Sequence, residues 1–221
     1  MTILLSPASY QFTEFHDLLL PQLPGCTVAM LNLNLREVIR DFCVRTGAWN
    51  QALTAVDTVA SQAAYALTVP ADSEIVRLTK LTVNDVFLWR YKDDADPGNT
   101  TEDEPEYVSE EPPFTMSLDL ATITLATDEI PTAAVTGGLV VEGALKPTMS
   151  PATLPAFLVQ EYGETLRYGV LSRLMRMGKK PWSDRELAVD YEARWNSGLN
   201  FAAYRAQTGS TRKRLRVKKY G

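Results

Sequence analysis

The pattern that most narrows the architectures open to this chain is helical periodicity near both ends, interrupted by a long middle stretch with the alternation of β-strands. Leu154, Leu158, Tyr162, Leu166, Val170 and Leu174 recur every four residues over about five turns, the spacing of one apolar stripe on a helix. Nearer the start, Val28, Leu31, Leu35, Ile39, Phe42 and Cys43 fall at steps of three, four or one and predict a helix over 27–46. Thr46-Gly47 then places the residue best able to take positive φ just past the last helical position, a C-cap signature. Phe12 to Leu20 predicts a shorter helix, broken by Pro21 and Pro24.

From Trp49 to Lys146 the language changes. β-Branched and polar residues alternate in Val56 to Val59, Ile75 to Val83, Ala121 to Leu125 and Leu139 to Leu145, with shorter candidates at Tyr65 to Leu67 and Phe87 to Tyr91. Asn84-Asp85 between two of these runs predicts a hairpin turn, and Gly137-Gly138 lies at a strand entrance. Residues 93–111 carry nine acids and no base, with Pro97, Gly98 and Pro105, which predicts an exposed loop because like charges at that density repel and solvate. After Lys146-Pro147 comes the helix of four-residue spacing, which Gly178, Lys179, Lys180 and Pro181 break. Ser183 with Glu186 reads as a capping box that starts the next helix, whose buried face would be Leu187, Tyr191, Trp195, Leu199 and Ala202.

Helices so distant in sequence meet only if the β block loops out and returns. The expected fold is therefore α+β: an α-helical bundle with an inserted antiparallel β-sandwich or barrel-like module and an extended C-terminal arm. Residues 1–50 supply the first bundle helices, 51–148 the β module with its acidic loop 93–111, 149–209 the remaining helices and 210–221 the arm. At 221 residues and 45% hydrophobic, such a chain buries about 70% of its unfolded surface, as one large domain carrying an insertion would.

The arm is the strongest charge feature. Its twelve residues hold Arg212, Lys213, Arg214, Arg216, Lys218 and Lys219 and no acid, on a chain whose net charge is −5. Without it, 16 bases face 27 acids, a balance of −11. Too few apolar groups are present to offset an ordering cost of about 1–2 kcal/mol per residue, so the arm needs a partner to order it. Leu215, Val217 and Tyr220 are interleaved with the charges, and Leu215, Val217 and Lys219 share the period of an extended strip on a surface. A solvated, frayed terminus is the plain alternative.

Little in the chain offers chemistry. Cys26 and Cys43 are too few for a disulfide framework or a four-ligand metal site, and His16 is the only histidine. No phosphate loop, dinucleotide fingerprint or nucleophile elbow occurs. Glu102 and Glu104 are the nearest thing to a carboxylate pair, but their loop lacks the spaced acids and central glycine of a calcium loop. No catalytic residue, metal or cofactor is expected. Met1 to Tyr10 lacks a basic segment and no apolar run approaches 18 residues, so neither a signal peptide nor a membrane span is expected. Trp182, Tyr191, Trp195 and Tyr204 read as core or subunit-contact residues, and Phe42, Cys43 and Trp49 as packing against the later helices.

Arg40-Asp41-Phe42-Cys43-Val44-Arg45-Thr46-Gly47-Ala48-Trp49, followed by Tyr65-Ala66-Leu67 and the Ile75–Val83 strand, resembles the opening of head-to-tail adaptor proteins of tailed bacteriophages. Arg167 to Met175, then Pro181-Trp182-Ser183-Asp184, then Ala188 to Trp195, is similar to that family's helix, Pro-Trp turn and final helix. The resemblance spans roughly residues 27–209 and rests on an order of elements. It implies a non-enzymatic virion protein at the head–tail junction, assembled in the host cytoplasm as a ring, typically dodecameric. In that ring the bundle packs between neighbouring copies around the DNA channel, without sequence-specific DNA binding. The β region faces a tail nozzle or tail-tube protein and the C-terminal segment reaches the portal protein. On this chain the portal-binding residues would be Arg212, Lys213, Arg214, Leu215, Arg216, Val217, Lys218, Lys219 and Tyr220. The acidic loop is longer than such a module needs, and its role stays open.

Two other readings compete. A tail-completion or terminator ring protein is the nearest neighbour within the virion. A nucleic-acid-binding protein acting through the basic tail is the rival from another class. Six phosphate contacts would make its affinity fall about a thousandfold between about 50 and 200 mM salt, and a body at −11 would oppose it.

Overall fold

A computed structural model describes residues 9–10, 12–90, 113–151 and 153–208; the acidic segment 93–111 and the arm 210–221 lie outside the described residues. The chain divides into two units, Met1–Ala48 with Ala152–Gly221 and Trp49–Pro151. The first holds β1 (Ser9–Tyr10), a 3-10 turn at Phe12–Phe15, α1 (His16–Leu19), a second 3-10 turn at Leu20–Gln22 and α2 (Val28–Thr46). The second contains β2 (Asn50–Ala52), β3 (Val56–Thr58), β4 (Ala64–Ala66), β5 (Ser73–Val83), β6 (Val86–Arg90), β7 (Phe114–Met116), β8 (Thr122–Leu125) and β9 (Val135–Pro147). The helical unit resumes with β10 (Leu154–Pro155), α3 (Ala156–Met175) and α4 (Arg185–Thr208).

Thr27, in extended backbone, caps α2 by accepting the Met30 N–H on its hydroxyl at 3.3 Å. Gly47, at φ 61°, ends it with its N–H on the Cys43 carbonyl at 2.9 Å. Leu31, Leu35, Val38, Ile39, Phe42 and Cys43 are buried, whereas Val28, which the periodicity adds to the stripe, is 46% exposed in the first turn. On α3, Leu158, Tyr162, Leu166, Val170 and Leu174 form the buried face. Leu154, in phase with them in sequence, lies before the helix in β10, where it is the Cα partner of Tyr10. The Phe42 ring meets Tyr162 at 5.0 Å and Trp195 of α4 at 6.0 Å between centroids, both tilted. Gly169 makes this approach possible: a Cβ there would stand 2.7 Å from Val38 Cγ1 and 2.8 Å from Trp195 Cε3.

The start of α4 corrects the sequence reading. Asp184, not Ser183, caps it, its Oδ1 accepting the Leu187 N–H at 3.0 Å and its carbonyl the Ala188 N–H at 3.0 Å. The Ser183 hydroxyl instead braces the preceding turn, accepting the Lys180 N–H at 3.1 Å and donating to the Met177 carbonyl. The buried face follows that register: Ala188, Trp195, Leu199 and Ala202 are buried, Tyr191 is half-buried and Leu187 is exposed.

In the β unit, β9 is the spine, with β2 and β3 on one side and β5 then β6 on the other. A second antiparallel sheet runs β4-β8-β7. The sheets are sandwich-like and do not close into a barrel. Register irregularities between Ile75 and Arg77 and between Leu78 and Lys80 shift the pleat of β5, so Ile75, Leu78 and Leu81 all face inward at steps of three. Asn84 and Asp85 make the β5–β6 turn with φ 48° and 67°, the primed geometry that matches strand twist. Trp49 is buried in this unit and donates its indole N–H to Gln51 Oε1 at 3.1 Å.

Three substitutions test these points by urea unfolding. Gly169→Ala should cost about 1–3 kcal/mol, since Val38 and Trp195 must both give way. Asp184→Ala should cost about 1 kcal/mol through the lost cap, while Glu186→Ala should cost less than about 0.5 kcal/mol, whereas a capping box at Ser183 would lose its reciprocal bond.

Candidate interaction site

Arg212, Lys213, Arg214, Leu215, Arg216, Val217, Lys218, Lys219 and Tyr220, which the sequence singles out, lie outside the described residues. The described helical unit shows other surfaces. With 3.6 residues per turn, Val189, Phe201 and Tyr204 fall on the side of α4 away from Ala188, Trp195, Leu199 and Ala202. They are 62%, 64% and 62% exposed, with the small, exposed Ala193 and Ser197 between them. Leu33 and Val44 fall likewise on the outer side of α2, 51% and 42% exposed. The unit therefore presents apolar groups in two directions, from different helices. Sequence reasoning gave only Tyr204 of these a core or subunit-contact role; the signal for the rest was present as apolar residues out of phase with each buried stripe.

Around these faces the charges are internally matched. Arg173 meets Glu37 at 3.2 Å and Asp41 at 3.6 Å, tying α3 to α2, and Arg45 meets Asp41 at 3.9 Å. Arg176 pairs with Glu192, and Arg205 with Glu161 at 2.5 Å, tying α3 to α4. Such exposed pairs contribute about 0–1 kcal/mol each and fix orientation more than stability. Arg45, Arg173 and Arg176 rim a 480 Å³ cleft floored by Trp195 and Ser172, but each guanidinium there already has its carboxylate. The Ser172 hydroxyl donates to the Gly169 carbonyl at 2.9 Å. Tyr168 and Tyr191 stack at 5.6 Å, and the Arg167 and Arg194 guanidinium carbons lie 5.7 and 5.5 Å from the Tyr168 ring centre. The Tyr191 hydroxyl donates to Gln22 Oε1 at 3.2 Å, fastening α4 to the N-terminal turns.

Both thiols are structural in character. Burial pushes Cys43 up to about 12, against a smaller opposing pull from Arg40. Burial also raises Cys26, whose Sγ lies 3.7 Å from the Thr27 carbonyl. Among the described residues no group of three or more His, Cys, Asp or Glu is placed to hold a metal ion, and no helix is long and apolar enough to cross a membrane.

Exposed apolar groups gathered along one helix face, as Val189, Phe201 and Tyr204 are on α4, form the kind of surface through which proteins associate with others. Residues 21–217 match the SU10 adaptor protein family, and the chain belongs to that family of structural bacteriophage adaptors. No curated protein matches the chain.

The Cys43 thiol supplies a pH test. Burial raises its folded pKa above that of an unfolded thiol, so its contribution to stability is complete below about pH 9 and is lost as pH rises toward about 12. Cys43→Ala should remove that part of the alkaline loss measured by chemical unfolding, and native Cys43 should resist alkylation at pH 8 until the chain unfolds.

Proposed function

We propose that this chain is a head-to-tail adaptor: a structural, non-enzymatic virion protein whose copies form a ring, in the dodecameric arrangement, between portal and tail and continue the DNA channel. The observation that carries the reading is the pair of outward apolar faces. Leu33 and Val44 on α2 and Val189, Phe201 and Tyr204 on α4 belong to one helical unit but point different ways. A contact between two unlike faces of the same protomer is heterologous, and it generates a ring when the rotation closes. Membership of the adaptor family supports the same role.

In this reading the arm 210–221 docks on the portal. Copies arranged in a ring present it many times over, so contacts weak singly become tight together. The tail nozzle or tail-tube protein meets the ring from the other side. The −11 balance of the chain without its arm suits a channel wall along which DNA slides without being held.

Electron microscopy of the purified chain mixed with portal should show stacked rings. Phe201→Asp should abolish the rings while changing unfolding free energy by less than about 0.5 kcal/mol. Deleting 210–221 should abolish portal docking and leave the melting temperature unchanged. Docking that survives the deletion overturns the arm's role, and salt-sensitive gel shifts without portal would identify a nucleic-acid binder instead.

A further inference from the structure

The β7–β8 hairpin ends in a tip, Ser117-Leu118-Asp119-Leu120, that carries two leucines where turns ordinarily carry glycine, asparagine or aspartate. Leu118 is 106% exposed, so folding removes none of its apolar surface from water. Leu120 sits at φ 56°, a left-handed backbone that a γ-branched residue takes at a cost glycine would avoid. The tip is nevertheless held from several directions. Leu120 N–H donates to the Ser117 carbonyl at 2.9 Å and Ser117 N–H to the Thr122 carbonyl at 3.0 Å. Thr122 N–H donates to Ser117 Oγ at 2.9 Å, Ala121 N–H to Asp119 Oδ1 at 3.1 Å, and the Ser117 hydroxyl is also bonded to Asp119. The Ser117 hydroxyl, and after it the Ala121 N–H, hold the Asp119 carboxyl below its ordinary range.

A single exposed leucine needs no explanation on its own. A fully exposed one on an over-determined, backbone-strained tip does, because strain persists where the surrounding bonds enforce it and such positions cluster at working sites. We infer that this tip is a preorganised apolar finger, with Leu118 as the anchor that enters an apolar pocket with a cationic rim on a different virion protein. Rigidity removes the ordering cost that a mobile loop would meet on binding. The rim follows from Asp119, the exposed carboxylate beside the anchor. The same carboxylate argues against a second copy meeting it through the β unit's other exposed apolar residues: Val59 and Val86 lie within two positions of Asp57 and Asp85, Val135 lies within two of Gly137, whose N–H donates to Asp57 Oδ1 at 2.7 Å, and beside Met149 the ammonium of Lys146 is already paired with Glu74 at 3.4 Å. Like charges would face one another there.

This inference deepens the adaptor reading and rests on it, and the experiment separates the two. Full-length chain carrying a benzoyl-phenylalanine photo-cross-linker at 118 is assembled into particles. Cross-linking to a protein other than itself is expected. In parallel, Leu118→Asp should lower the yield of tailed particles at least ~10-fold, the effect of losing an interface anchor. Leu118→Met should stay within about threefold of wild type. Both variants should keep the wild-type melting temperature and the stacked rings with portal. Cross-links to the chain's own copies alone, or no cross-link together with an undiminished yield for Leu118→Asp, overturn the finger. A wild-type chain that forms no stacked ring with portal overturns the adaptor reading instead.

Discussion

Phe42 is where the helical unit closes. Its ring lies between Tyr162 of α3 and Trp195 of α4, residues reached only after the chain has passed through the whole β unit. Burying an aromatic side chain of about 150–250 Å² is worth up to about 4–6 kcal/mol at about 25 cal/mol per Å². The exposed ion pairs between the same helices contribute about 0–1 kcal/mol each. Apolar burial therefore dominates, and the Arg173, Arg176 and Arg205 pairs set register around it. Gly169 belongs to the same contact, since any side chain there would hold Trp195 away from Val38.

Such an insertion works only if the β unit leaves and returns at neighbouring points. It does so because β2 pairs with the far half of β9: Asn50 is opposite Ala144 and Gln51 opposite Gly143, and Leu145 donates its N–H to the Trp49 carbonyl at 2.7 Å. The first and last strands of the unit are thus hydrogen-bonded neighbours. Inside it, the bulges of β5 bring Ile75, Leu78 and Leu81 to one face, which strict alternation would have divided between two.

What remains outside the two cores is a set of apolar groups that folding leaves in water. A helix with one buried stripe has no folding reason to carry Phe201 and Tyr204 opposite Trp195 and Leu199, and a hairpin tip has none to carry Leu118. The adaptor reading gives the helical faces an occupant in neighbouring copies and gives the tip a foreign one. The charge asymmetry, an arm with six bases on a body at −11, points to a third contact made beyond the described residues.

Period and punctuation in the sequence determined the α+β class, the extent of α2 to its Gly47 cap, and the phase of α3, because these depend on neighbours three or four residues away. They also marked the Asn84-Asp85 turn and the main strands. Local pattern could not decide between Ser183 and Asp184 as the cap of α4, since both fit and only the path of the preceding turn commits the Ser183 hydroxyl elsewhere. The buried face of α4 keeps Trp195, Leu199 and Ala202 but begins at Ala188, with Leu187 exposed. The short strands β2 and β7 and the bulges of β5 were equally illegible, being defined by the strands beside them. Which apolar residues are spare is settled by the tertiary structure: Phe201 is out of phase with the buried stripe of α4 in sequence, and the packing around that stripe leaves it, like Leu118 at its hairpin tip, facing water.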